Sequence, residues 1–296
     1  MYRLFRAARW LVPRLPRWLV RCLPALIGPA AWLLVTSARR RATENVLHVL
    51  GPQVRETRAG RQKLRRVVRG IFRHSVANYL DALLLPTLAP HDFLSRISIA
   101  GREHLEEALA LGKGALLFSA HFGPFEQMSQ WFSASGYQMT IPVEKLKDER
   151  MLQLMLALRK SSGVSYVPLG GTTAMRTMLQ ALRSNQIVLI TADRAVEGES
   201  IVTDFFGAPA RLPIGPVNLS VRTGAPLVGA FGWRSAGGDV SGVFTRLTLA
   251  LPEEERTLAD VVEAALITQM EQIIRAHPEQ WVVFESPWLE PAHVSR

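Results

Sequence analysis

His121 and Glu126 stand in the stretch GKGALLFSAHFGPFEQM, residues 112–128, and an imidazole with a carboxylate nearby is a minimal unit of general-base chemistry. Of the seven histidines, only His121 has an acid five residues on. A carboxylate can fix the tautomer of an imidazole and raise its basicity. The spacing alone fits two readings equally: a base with its acidic partner, or a packed histidine at a strand end beside a capped helix. A second acid arrives in IVLITADR, where an apolar run delivers Asp193 and Arg194 to its end. Asp193 is either a further carboxylate for His121 or half of an ion pair capping a sheet. Arg194 is either a contact for an anionic substrate or the other half of that pair. Arg211 lies in DFFGAPARLPIGP, where an arginine among apolar turns can hold a phosphate or carboxylate with its planar fork. Arg159 ends MLQLMLALRK, where a cation also favours a helix C-terminus. Gly170-Gly171-Thr172-Thr173 reads as a helix start that could receive an anion, or as a plain turn and cap.

The elements that must carry these residues follow from the apolar pattern. Ala115–Phe118 is a short buried run, and Pro124 suits the first turn of a helix. His121 is thus placed in the turn leaving a strand, and Glu126 in the first turn of the next helix. Strands are expected near 97–100, 114–119, 138–142, 164–168, 186–191, 226–231, 242–250 and 281–284. Helices are expected near 102–111, 125–134, 147–161, 173–184, 213–223 and 257–276. DFFGAPARLPIGP is read as a rigid lipophilic loop. This alternation predicts an α/β fold, with a central, largely parallel mixed sheet flanked by helices. Ligands of such sheets bind beyond the carboxyl ends of the strands, so His121, Asp193 and Arg194 are expected on one rim.

Charge divides the chain of 296 residues. Its net charge is +10, yet residues 1–73 alone carry a balance of +15 and the rest a balance of −5. In MYRLFRAARWLVPRLPRWLVR, arginines interleave with Trp10, Leu11, Val12, Trp18, Leu19 and Val20. That mixture suits a bilayer headgroup layer better than nucleic acid. Residues 22–38 are free of charge and precede Arg39-Arg40-Arg41, but Pro24 and Pro29 interrupt them. A monotopic, half-inserted helix or hairpin is expected, with a single transmembrane anchor next and an amphipathic helix packed on its own domain third. No convincing cleavage site precedes the arginine triplet, which argues against a secretory signal. A helix over 61–85 is expected from the stripe Val67, Val68, Ile71, Phe72, Val76 and Leu80. The expected organisation is a membrane-docking arm over 1–41 and one α/β domain over 42–296. A lone Cys22 excludes an internal disulfide. No zinc-like spacing, GxSxG elbow or GxxxxGK[ST] loop is present.

With these blocks assembled, the chain resembles the lysophospholipid acyltransferase superfamily, and within it the branch of lipid A lauroyl/myristoyl and phosphatidylinositol mannoside acyltransferases. The resemblance runs from Arg40-Arg41-Ala42-Thr43-Glu44-Asn45 through GKGALLFSAHFGPFE, PVEKLKDERMLQLMLALRKSSG and ADRAVEGESIVTDFFGAPARLPIGPVNLSVRTGAPLV to HPEQWVVFESPW. DFFGAPARLPIGP is its most specific block. At Gly123-Pro124-Phe125, many relatives have Gly-Asn-Trp.

The resemblance implies a glycerol-3-phosphate acyltransferase-like fold and transfer of a fatty acyl chain from a thioester to a glycolipid hydroxyl. The donor would be acyl-CoA or acyl carrier protein, as co-substrate and without a metal or other cofactor. The family's H-x4-D/E histidine falls on His121 and its acid on Glu126. The acid of its second block falls on Asp193, and its substrate-contact arginines on Arg159, Arg194 and Arg211. The implied partners are a membrane lipid acceptor, the thioester donor and the membrane surface, with no nucleic acid. The implied location is the cytoplasmic face of a bacterial inner membrane. The alternatives are a lysophospholipid acyltransferase, and a membrane-docked lipid-binding protein without catalysis.

Overall fold

The computed structural model describes residues 2–159, 164–195, 198–235, 237–247 and 258–289. Four helices lead: α1 (Tyr2–Leu11), α2 (Arg17–Leu34), α3 (Thr36–Leu50) and α4 (Arg58–Leu84). After a short helix α5 (Pro90–Leu94) come β1 (Ile97–Ala100), α6 (Arg102–Ala110), β2 (Ala115–Ser119), α7 (Phe125–Ala134), β3 (Met139–Val143), α8 (Glu149–Arg159), β4 (Ser165–Pro168), α9 (Thr172–Arg183) and β5 (Ile187–Thr191). A hairpin of β6 (Ser200–Phe205) and β7 (Ala208–Pro213) follows, then α10 (Gly215–Thr223), β8 (Leu227–Arg234), β9 (Val240–Arg246) and α11 (Leu258–Ala276).

Seven strands form one sheet in the order β1-β9-β8-β2-β5-β3-β4. Every neighbouring pair is parallel except β8 with β9. This is the expected largely parallel mixed sheet between helices. β2 lies at its centre, which explains why Ala115–Phe118 reads as an unbroken apolar run rather than an alternating one: both faces are covered. Leu116 and Phe118 pack with α9, α10 and α11 on one face, while Ala115 and Leu117 pack with α6 and α7 on the other.

Two expectations differ in detail. DFFGAPARLPIGP is mostly strand, because Phe206 and Gly207 both adopt positive φ (54° and 77°) and close a two-residue hairpin turn. The strand expected at 281–284 is a single antiparallel bridge, Trp281 with Phe122. The ends of the expected segments 147–161, 242–250 and 257–276 lie partly outside the described residues.

The apolar stripe of α4 faces inward as expected: Val67, Val68, Ile71 and Phe72 pack with Ala42 and Val46 of α3. The lipophilic arm rests on the other end of the same helix. Val12 and Val20 bury against Leu80, Leu83 and Leu158. Pro24 and Pro29 both lie inside α2, and the chain then bends by 98° into α3. Among the described residues no single helix is long and apolar enough to cross a membrane. The bent pair α2 and α3 qualifies by length and composition together.

Candidate active site

Parallel register builds the site. Ser119 of β2 lies opposite Thr191 of β5, so the residues two positions beyond each strand end, His121 and Asp193, emerge side by side at the carboxyl rim. His121 Nδ1 is 2.8 Å from Asp193 Oδ1, and the His121 backbone N–H donates to Oδ2 at 3.0 Å. The indole N–H of Trp281 donates to the same Oδ2 at 2.8 Å. Asp193 is fully buried. Burial alone would raise its carboxyl, but the imidazole, the indole N–H and the His121 amide outweigh it and hold the carboxyl below its usual range. An ionised carboxylate only accepts hydrogen bonds, so Nδ1 carries a ring proton, and in the neutral ring Nε2 then presents its lone pair. The imidazole is one-third open to solvent, its side chain 32% exposed.

The segment that carries Trp281 also grips the backbone around the histidine. Val282 N–H donates to the His121 carbonyl at 2.8 Å, and Gly123 N–H to the Gln280 carbonyl at 2.9 Å. Gly123 takes φ +62°, and a Cβ there would lie 1.8 Å from the Gly232 carbonyl, so no other residue fits this turn. Buried Asn45 donates to the carbonyls of Val283 (3.1 Å) and Glu285 (3.0 Å), tying α3 to the same segment. Trp288 stacks on His48 and donates to the Phe205 carbonyl. The sequence marked HPEQWVVFESPW as a short strand near 281–284 and as part of a resemblance, with no role in the site. A tryptophan that only fills the core cannot be told from one that also donates to a carboxylate until the fold brings Trp281 to Asp193.

Glu126 turns away from this cluster. It is buried, and Arg159 Nε donates to its two oxygens at 2.9 and 3.2 Å, with a further close contact from the guanidinium. Burial pushes the Glu126 carboxyl up while Arg159 opposes the shift. The Arg159 guanidinium lies 4.9 Å from the Tyr166 ring centroid, and Tyr166 donates to Ser129 on α7. The pair joins α7 to α8. Removing one partner of such a buried pair costs about 3–5 kcal/mol, because the other charge is left alone.

The remaining arginines divide. Arg194, next to Asp193, bridges Glu144 and Glu285, so its charge is met by two carboxylates. Arg211 stands on β7. Its backbone N–H is held by the Pro287 carbonyl, and its guanidinium reaches the Ser200 hydroxyl at a long 3.4 Å. Of the three expected substrate contacts, Arg211 is the one without a carboxylate partner among the described residues. Gly170 and Gly171 precede α9 as a turn, with no side-chain cap. Among the described residues no group of three or more His, Cys, Asp or Glu could hold a metal ion.

An imidazole with a bare nitrogen, oriented by a buried carboxylate at the rim of an α/β sheet, is equipped for proton abstraction from a hydroxyl. The family model of bacterial lipid A biosynthesis acyltransferases matches residues 2–290, and the chain belongs to that family. It is 31% identical over 222 residues to a phosphatidylinositol mannoside acyltransferase of Mycobacterium tuberculosis, covering 73% of this chain and 68% of that protein. To a phosphatidylinositol mannoside acyltransferase of Mycolicibacterium smegmatis it is 25% identical over 280 residues, covering 88% and 90%. The protein is thus an acyltransferase.

Proposed function

We propose that the protein moves a fatty acyl chain from an acyl thioester, acyl-CoA or acyl carrier protein, to a hydroxyl of a membrane glycolipid of the phosphatidylinositol mannoside or lipid A precursor class. The observation that supports this most is the His121–Asp193–Trp281 chain of hydrogen bonds at the rim of the sheet. In this reading Nε2 of His121 takes the acceptor proton as the hydroxyl oxygen attacks the thioester carbonyl. Asp193 fixes the tautomer and stabilises the imidazolium that forms. Collapse of the tetrahedral intermediate expels the thiolate, and the proton on Nε2 can pass to that sulfur, leaving the site as it began. A thioester is already activated, so alignment and proton transfer carry most of the task. Glu126 supports the site by anchoring Arg159. The test incubates purified protein with labelled acyl-CoA or acyl carrier protein and, in separate arms, a phosphatidylinositol mannoside, a lipid A precursor and a lysophospholipid. Acylation of the lysophospholipid alone would move the protein to the neighbouring lysophospholipid class. Binding of lipid without product in any arm would make it a carrier.

Arg211 is proposed to receive an anionic substrate group. Arg211→Lys keeps the charge and loses the planar fork, so KM for the anionic substrate should rise while kcat and melting temperature hold. Unchanged KM values for both substrates would remove Arg211 from the binding site.

The arm is proposed to dock the protein as a monotopic unit on the cytoplasmic leaflet, next to a lipid acceptor. Trp18 (68% exposed), Leu34 (80%), Trp10, Leu26 and Leu33 leave a large apolar surface open on α1 and α2. The guanidinium groups of Arg39 and Arg69 lie over the Trp32 ring, at 5.1 and 4.4 Å, a pairing that suits an aromatic at an anionic headgroup layer. Val12 and Val20 belong to the core, so deleting 1–41 would confound docking with folding; exposed positions test it better. The Trp18→Glu, Leu34→Glu double variant should lose most of its sedimentation with vesicles containing anionic lipid at wild-type melting temperature. Sedimentation equal to wild type would place docking elsewhere.

A further inference from the structure

One face of α4 presents His74, Asn78 and Asp81 at helical spacing, and all three meet Arg234 at the end of β8. Arg234 and Asp81 are mostly buried, 13% and 16% exposed, and form an ion pair. Asn78 is buried between two partners: its Oδ1 accepts from Arg234 at 2.7 Å, and its Nδ2 donates to the Gly123 carbonyl at 3.1 Å. Gln280 closes the other side. Its Oε1 accepts from the Arg234 backbone N–H at 2.8 Å and its Nε2 donates to the Arg234 carbonyl at 2.9 Å. The Gln280 carbonyl then receives the Gly123 N–H. Both backbone polar groups of Gly123, two residues after His121, are therefore held by members of one network. His74 stays neutral there, its pKa lowered to about 3 by burial and by the cations beside it, so it does not add a second positive charge beside Arg234.

We infer that Asn78 and Arg234, with Asp81 and Gln280, are positioning residues that fix the backbone of the His121 turn from beneath. β8 pairs with β9 over Val228–Arg234 but with β2 only over Leu227–Gly229, so at Arg234 the Gln280 side chain takes the backbone bonds that no strand supplies, beside the His121 turn. A buried guanidinium is costly unless fully partnered, and here its partners lead to one carbonyl at the active rim. The inference rests on the acyl-transfer reading for its kinetic consequence, but not for its structural one.

Asn78→Asp separates the two. The carboxylate still accepts from Arg234, but it can no longer donate to the Gly123 carbonyl. The expected result is a kcat lower by about 10- to 100-fold, the scale of a misplacement of roughly 1 Å, with KM close to wild type. Amide hydrogen exchange of the 119–126 segment should accelerate while the rest of the protein keeps wild-type rates. Asn78→Ala, which drops both bonds without adding charge, should show the same exchange pattern. An unchanged kcat in folded Asn78→Asp overturns the inference, as does unchanged exchange at 119–126. Failure of both variants to fold also overturns it, since the residue would then be structural. If the wild-type protein transfers no acyl group, the functional reading fails instead, and the exchange experiment still decides the positioning role.

Discussion

Asp193→Asn is expected to lower turnover by about 10⁴-fold while the protein remains folded. The magnitude follows from where the amide must point. Asp193 Oδ2 accepts two N–H bonds, from the His121 backbone and from the Trp281 indole. An asparagine has one acceptor oxygen, and these two donors claim it. Its NH₂ is then turned toward His121 Nδ1, 2.8 Å away in the wild type. Nδ1 must become the acceptor, so the ring proton moves to Nε2, and the nitrogen that should take the hydroxyl proton no longer can. Only the Nδ1–H tautomer leaves the lone pair on Nε2, where the hydroxyl proton must go. The substitution thus removes function with little change of shape, and an Asp193→Asn protein with near-normal kcat would show that the tautomer is irrelevant. Asp193 also links the site to pH. Its folded-state pKa is depressed, so it contributes stability that is present above its unfolded value and is lost as pH falls through the folded one.

His121→Ala is expected to reduce kcat by about 10²–10⁴-fold, the usual contribution of a positioned general base. Asp193 keeps the indole and amide donors in that variant, so the buried charge retains partners and the fold should hold. If His121 were only a packing residue, the pattern would reverse: the melting temperature would drop and turnover per folded molecule would stay. Measuring both quantities on the same preparations separates the two.

Much of this arrangement was legible before the structure. β2 and β5 announce themselves as apolar runs, and each ends two residues short of one member of the His121–Asp193 pair. What a linear reading could not supply is which carboxylate meets the imidazole. Glu126 is five residues from His121, but the chain reverses through Gly123 and Pro124, and the first turn of α7 aims the side chain at Arg159. Asp193 is 72 residues away and arrives through strand register. The β6–β7 hairpin was hidden for a different reason. Its turn places a phenylalanine, not a glycine or asparagine, at positive φ, and Pro209 and Pro213 look like loop punctuation although a two-stranded edge tolerates them. Asn78 and Arg234 were silent because periodicity marks apolar faces, and polar residues at helical spacing read as a solvated face until the fold buries them against β8.

The most direct test follows a labelled acyl chain from thioester to glycolipid hydroxyl across roughly pH 5 to 9, the range in which an imidazole changes charge. Wild-type protein and His121→Ala would be compared at equal folded concentration. The expected result is acylated glycolipid formed by the wild type at a rate that rises as an imidazole loses its proton, and a small residual rate in the variant without that rise. Equal product from both proteins, with the same pH dependence, would contradict the assignment of His121 as the base.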